Sequence, residues 1–252
     1  MNILTSAVPI WVSIAFILTF PIVLFMIANA VKTANLSAGL TAENARKEQN
    51  RTLMMGFAYL LVVSIVAITG FFTVNTLPPR ILLTTTLPLL LFYLFYLSKT
   101  ASYRRFFENV SLQSLIRLHI FRFVGVFFLI TYAYGALPKV FALGGGIGDI
   151  FAAGTAIFVA KAVEQKKSYA RSLTFVWNII GLLDIINVAV TAVITTKMSI
   201  ENGTQSVVTI ADFPFCWIPA FAPATIVFLH LMIFKKLRLE KIEQLEKDPS
   251  VF

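Results

Sequence analysis

Leu173-Thr174-Phe175-Val176-Trp177-Asn178-Ile179-Ile180-Gly181-Leu182-Leu183-Asp184-Ile185-Ile186-Asn187-Val188-Ala189-Val190-Thr191-Ala192-Val193-Ile194-Thr195-Thr196 is a run of 24 residues in which Asp184 is the one ionisable side chain. At about 1.5 Å of rise per residue, a helix of that length crosses a hydrocarbon layer of about 30 Å. An ionised carboxylate at its centre costs about 2.5–3.5 kcal/mol on insertion scales. Asp184 is therefore expected to face protein or water, and it is a candidate site residue by default.

The rest of the chain repeats the pattern. Of its 252 residues, 58% are hydrophobic and only 13% charged, with a mean hydropathy of +0.83. An ordinary soluble domain carries about a quarter charged residues, so lipid is the solvent this composition suits. Further apolar runs lie at 7–30, 53–77, 81–97, 115–137, 147–163 and 213–234. Backbone groups in lipid must be satisfied internally, and no period-2 alternation suggests a barrel. The expectation is an all-α polytopic bundle of seven transmembrane helices, one domain over residues 1–236, followed by a charged helical tail at 237–252.

The cations set the expected topology. Lys32, Arg46, Lys47 and Arg51 follow the first run; Lys99, Arg104, Arg105 and Arg117 separate the third from the fourth. Lys161, Lys166, Lys167 and Arg171 separate the fifth from the sixth, and Lys235, Lys236, Arg238, Lys241 and Lys247 follow the seventh. These connections carry 17 cations, against Arg80, Lys139 and Lys197 in the others. By the positive-inside rule the first set is cytoplasmic, which puts the N-terminus outside and the C-terminus inside. The net charge of +9 is thereby explained without nucleic acid, whose binding would need a basic patch on one soluble element.

Local signals add detail. Ala28-Asn29-Ala30 imitates a signal-peptidase site, but without a positive n-region the run is expected to stay as the first helix. Thr41-Ala42-Glu43-Asn44 marks a helix start within the loop at 31–52, which is expected to lie as a short helix on the inner surface. Pro78-Pro79-Arg80 predicts a tight turn with the second and third helices as antiparallel neighbours, and Pro88 predicts a kink in a third helix of marginal length. The lone Cys216 allows no intrachain disulfide and no CxxC motif. In the tail, Lys236/Glu240 and Glu243/Lys247 are spaced for i,i+4 pairing, and its cations for contact with anionic lipid.

Three groups of residues resemble a pattern found in uncharacterised bacterial multi-pass membrane proteins. They are Phe141-Ala142-Leu143-Gly144-Gly145-Gly146-Ile147-Gly148-Asp149; Trp177-Asn178 with Gly181 and Asp184; and Ile218-Pro219 with Pro223 and His230. The resemblance covers residues 115–237 and departs at Gly144-Gly145, where the pattern has Pro-Ala. It implies a bacterial inner membrane and no particular activity. The seven-helix layout is also similar to that of the rhodopsins, but the run at 213–234 has no lysine to form a retinal Schiff base.

Depth along the helices groups the polar residues. His119 and Arg122 lie roughly 6 and 10 Å from the inner boundary, and Asn178 and His230 fall in the same layer. Asp184 lies deeper, at roughly 16–18 Å, with Asn187 and Gly181 each three residues away. That offset from Arg122 leaves a direct ion pair open; without a cation the neutral acid would be favoured. Asp149 is expected near the outer surface, in the first turn of a fifth helix entered through flexible glycines, or else in a broken-helix site.

Two readings of function follow. In the first, Arg122 and Asn178 orient a small polar or anionic solute, Asp149 and Asn187 are further candidate binding residues, and Asp184 senses or carries a proton. In the second the protein does not transport: it is a scaffold, or His119 and His230 ligate a haem. No nucleotide motif is present, because the glycine run lacks GxxxxGK[ST]; HExxH and GxSxG are also absent, so an enzyme is the weaker idea. Membrane lipids are the expected partners, with a solute as a further one.

Overall fold

The computed structural model describes residues 3–247, with side chains to residue 242, and among these residues there is helix and no strand. Among the described residues seven helices are long and apolar enough to cross a membrane. They are Ile10–Ser37, Ala42–Ile68, Leu82–Lys99, Leu112–Ala133, Lys139–Glu164, Ala170–Asn202 and Trp217–Ile242, called here the first to seventh spans. The chain is thus a multi-pass membrane protein.

The ends of the helices follow local chemistry. Thr41, Thr100 and Ser111 each accept a hydrogen bond from the backbone N–H three residues on, at 3.3, 3.2 and 3.2 Å, satisfying amides that have no partner within the helix. Gly203 closes the sixth span in the left-handed conformation (φ 65°), which a residue without Cβ adopts freely. Pro21 opens the second segment of the first span, marking the boundary between helices Ile10–Thr19 and Pro21–Ser37. Ala28 lies inside that helix and is fully buried.

Packing divides the spans into two groups. The fifth lies along the fourth and sixth, and the seventh lies against the third, fourth and sixth. In the seventh, 78% of the membrane-crossing window is buried, against 6% in the third. Phe16 and Phe20 of the first span meet Trp217, and Phe16 also packs edge-on against Phe127 of the fourth at 5.1 Å. This aromatic contact ties the first span to the central helices.

Several expectations need correction. The second and third spans are not close neighbours: the second packs on the first, the third on the seventh, and a cavity of about 550 Å³ parts them. No separate surface helix occupies the loop at 31–52. Instead the first span continues to Ser37, and the second begins at Ala42 and runs unbroken into the membrane. The fifth span begins at Lys139, not near 147, so Gly144, Gly145, Gly146 and Gly148 all lie within it. Glycine is tolerated there because it lets helix backbones approach.

The third span is irregular, as Pro88 predicts, with wide π-helical turns at Leu82–Thr86 and Phe92–Tyr96 on either side of the proline-containing segment. The seventh helix passes the 236/237 boundary without a break and runs to Lys247. Of the tail pairs, Glu243/Lys247 lies outside the described side chains.

Candidate functional site

Among the described residues Arg122 is the largest fully buried side chain, and it stands in the middle of a membrane helix. Its Nε donates to Asp149 Oδ1 at 2.8 Å, Nη1 donates to the carbonyl oxygen of Gly181 at 3.1 Å, and Nη2 donates to Asp184 Oδ2. The fourth, fifth and sixth spans therefore meet at a single guanidinium. Its planar fork holds three acceptors at fixed angles, which lysine, a point charge, would not do.

Local sequence explains how the groups come so close. A Cβ on Gly125 would stand 2.5 Å from Asp149 Cβ, and one on Gly148 would overlap the carboxylate of Asp184. Small residues thus face both acids, each from the adjacent helix. Around Arg122 the fourth span tightens into a 3-10 helix over His119–Gly125. Mid-helix stretches of this winding often mark function or strain.

A second polar layer adjoins the first. His230 Nδ1 and Asn178 Oδ1 are 2.7 Å apart, and Asn178 Nδ2 donates to the backbone oxygen of His230 at 3.0 Å, a reciprocal pair joining the sixth and seventh spans. His119 lies with its ring centroid 4.2 Å from that of His230 and edge-on to Trp177 at 5.1 Å. Trp177 in turn donates to Thr155 Oγ1 at 3.0 Å. Both nitrogens of His119 and Nε2 of His230 are buried without a hydrogen-bond partner. The two layers join at Gly181, where an added Cβ would meet His230 Cε1 at 2.7 Å and Arg122 Nη1 at 3.4 Å.

The structure brings together Arg122, Asp149, Asp184, Asn178, His119 and His230. Asn187 stays outside, exposed on the sixth span. Asp149 is not at a helix entry. It lies ten residues inside the fifth span and 4% exposed, which also removes the broken-helix reading.

The open question of an ion pair resolves as a direct contact. The fourth span starts at Leu112 and the sixth at Ala170, and the tight turn rises about 2.0 Å per residue, so an offset of some 8 Å shrinks to about 4–5 Å. That distance is within reach of an arginine side chain. The condition for a neutral Asp184, absence of a cation, is not met.

The adjoining histidines, tilted 38° to each other, do not provide the bis-histidine arrangement. Two imidazoles on one haem iron stand on opposite faces of the macrocycle, whereas these rings touch each other. Among the described residues no three His, Cys, Asp or Glu side chains gather as metal ligands. Spacing places Gly125 on the helix face of His119 and Arg122, whereas sequence alone does not show the parts played by Gly148, which adjoins Asp149, and Trp177.

A bundle of seven apolar helices closed around an arginine and two carboxylates defines a polytopic membrane protein with an intramembrane charge cluster. A family model described as a domain of unknown function, DUF8737, matches residues 77–238, and the chain belongs to this family. The matched region contains the whole cluster and leaves out the first two spans. No curated protein and no solved structure matches the chain.

Proposed function

We propose that the protein binds or moves a small polar or anionic solute through the membrane, and that Arg122, Asp149 and Asp184 form the proton-responsive centre of that process. One observation carries the proposal: a single guanidinium serves two carboxylates, and no other cation pairs with either among the described residues. With all three groups ionised the cluster holds one unbalanced negative charge in an apolar interior. Uptake of one proton neutralises it.

Asp184 is the proposed proton carrier. Its side chain is 17% exposed, against 6% for Asp149, so it is the acid less enclosed by protein. In the arrangement seen, Arg122 is fully engaged by protein acceptors. Protonating Asp184 frees Nη2, whose N–H groups can then be offered to an anionic or polar solute. His230 and Asn178, clamped to each other one layer away, would relay the opening to the seventh span.

The site is proposed to lie in a bacterial inner membrane with the N-terminus outside and the C-terminus in the cytoplasm. The 17-to-3 distribution of cations between alternate connections supports this orientation.

Amide hydrogen exchange at residues 119–125, in protein embedded in lipid nanodiscs, tests the proposal. Acidification and Asp184→Asn should each lower the protection factor there, with exchange referred to the intrinsic rate at the same pH, since both remove the negative charge that holds Nη2. If neither changes it, the cluster is a static clamp and the protein a scaffold. That second reading is favoured by one observation: the cavity of about 550 Å³ and two smaller ones are lined by residues other than Arg122, Asp149 and Asp184.

A further inference from the structure

The cavity of about 550 Å³ lies away from the charge cluster, among the first, second, third and seventh spans. Its size falls within the range of about 300–1,000 Å³ typical of small-molecule sites. Most of the wall is hydrocarbon, from side chains such as Leu24, Ile27, Leu89, Phe221, Leu229 and Met232. Several hydroxyls on the wall are turned to protein partners. Tyr59 donates to the oxygen of Ala220 at 2.9 Å, Thr85 to that of Ile81, and Tyr93 pairs with Thr225 at 3.3 Å. The deep part of the cavity is therefore apolar in effect.

Polarity returns at one end. Asn35, Glu48, Thr52 and Ser102 line the cavity there, at the end of the bundle that carries the basic connections. Glu48 lies five residues before the apolar run that starts at Leu53, about 7 Å along the helix and so at headgroup level. Among the described residues it is the one acid in the lining, and no base lines the cavity. Arg51 and Lys99 adjoin the lining in sequence. On its open side the cavity passes exposed Met55, Thr84 and Pro88, which face the acyl chains of a bilayer.

We propose that this cavity binds a phospholipid with a primary amine in its headgroup, one acyl chain lying in the apolar part and the amine at Glu48. Three features select that occupant. The opening is lateral, so what enters comes from the bilayer; the depth is apolar; and an acid lies in the lining with cations just outside it, which suits a zwitterion better than a bare anion. The proposal is independent of the proton-responsive centre, because no residue is shared between the two sites.

The test is native mass spectrometry of the full chain released from vesicles containing equal parts of phosphatidylethanolamine and phosphatidylglycerol with identical acyl chains. One phosphatidylethanolamine should remain bound to the wild type. Leu89→Trp, which fills the cavity, should lower its retention about tenfold, equivalent to about 1.4 kcal/mol. Met55→Trp at the rim provides a second blocking variant should the first fail to fold.

Glu48→Gln should abolish the headgroup preference while leaving a bound lipid. Ile157→Trp, on an exposed face of the fifth span, should change nothing. Retention lost equally in Ile157→Trp would mean general lipid contact and overturn the proposal. So would absence of any retained lipid, retention unaffected by either blocking variant, or a preference for phosphatidylglycerol. None of these outcomes bears on the exchange behaviour of residues 119–125.

Discussion

The two halves of this bundle handle hydrophilic groups in opposite ways. Among the fourth to seventh spans, glycines bring helices into contact and every nitrogen of Arg122 is matched to an acceptor. Between the second and third spans a cavity holds the helices apart, and hydroxyls cover exposed carbonyls on the seventh. Pro223 has no N–H to offer Pro219, and Thr86 of the third span donates to that oxygen at 2.5 Å. Charge inside a membrane demands close packing; a hydroxyl lining tolerates space. The family match follows this division only in part, since it takes in the third span but neither of the first two.

The largest effect expected from disturbing the contrast is at Arg122. Arg122→Ala strands two buried carboxylates and should cost about 3–5 kcal/mol, measured by denaturant unfolding in micelles. Arg122→Met combined with Asp149→Asn and Asp184→Asn should recover most of that loss, because no charge is then left unpaired. Equal damage from the single and triple variants would show that the shape of the cluster, not its charge, is what matters.

Next in size are the contact glycines. Gly125→Ala puts a methyl group against Asp149 Cβ and should destabilise by about 1–3 kcal/mol, as should Gly148→Ala beside Asp184. A smaller loss, of about 1 kcal/mol, is expected for Tyr59→Phe, which removes the hydrogen bond to Ala220. Smallest of all should be Leu89→Ala, within about 0.5 kcal/mol by the same measurement, since its side chain borders open space. Leu115→Ala in the closed core should instead cost about 2–5 kcal/mol. If those last two variants behave alike, the cavity is not open in the folded protein.

Much of the architecture could be seen in the order of residues. Hydropathy reports transfer from water to lipid, so all seven spans were evident, and Thr41 marked its helix start correctly. The grouping of His119, Arg122, Asn178 and His230 was also legible, because depth is set by position along a helix.

Lateral arrangement was not. Pro78-Pro79-Arg80 constrains a turn but not which helix the third span leans on, and lipid tails reward no particular apolar neighbour. The start of the fifth span was missed for a related reason: the glycines at 144–148 look like a loop by propensity and are a contact surface by packing. Asp149 was misplaced along with them, and so its bond to Arg122 was hidden.

The tight winding at His119–Gly125 has a consequence for movement. With three residues per turn, His119, Arg122 and Gly125 stand in one straight file, a register that α-helical winding would not keep. Relaxing those seven residues to 3.6 per turn would shorten the segment by about 3–4 Å and unscrew its two ends by about 140° relative to each other. Letting go of one carboxylate at this point therefore offers a corkscrew stroke, in which a local exchange of partners turns half a helix about its own axis.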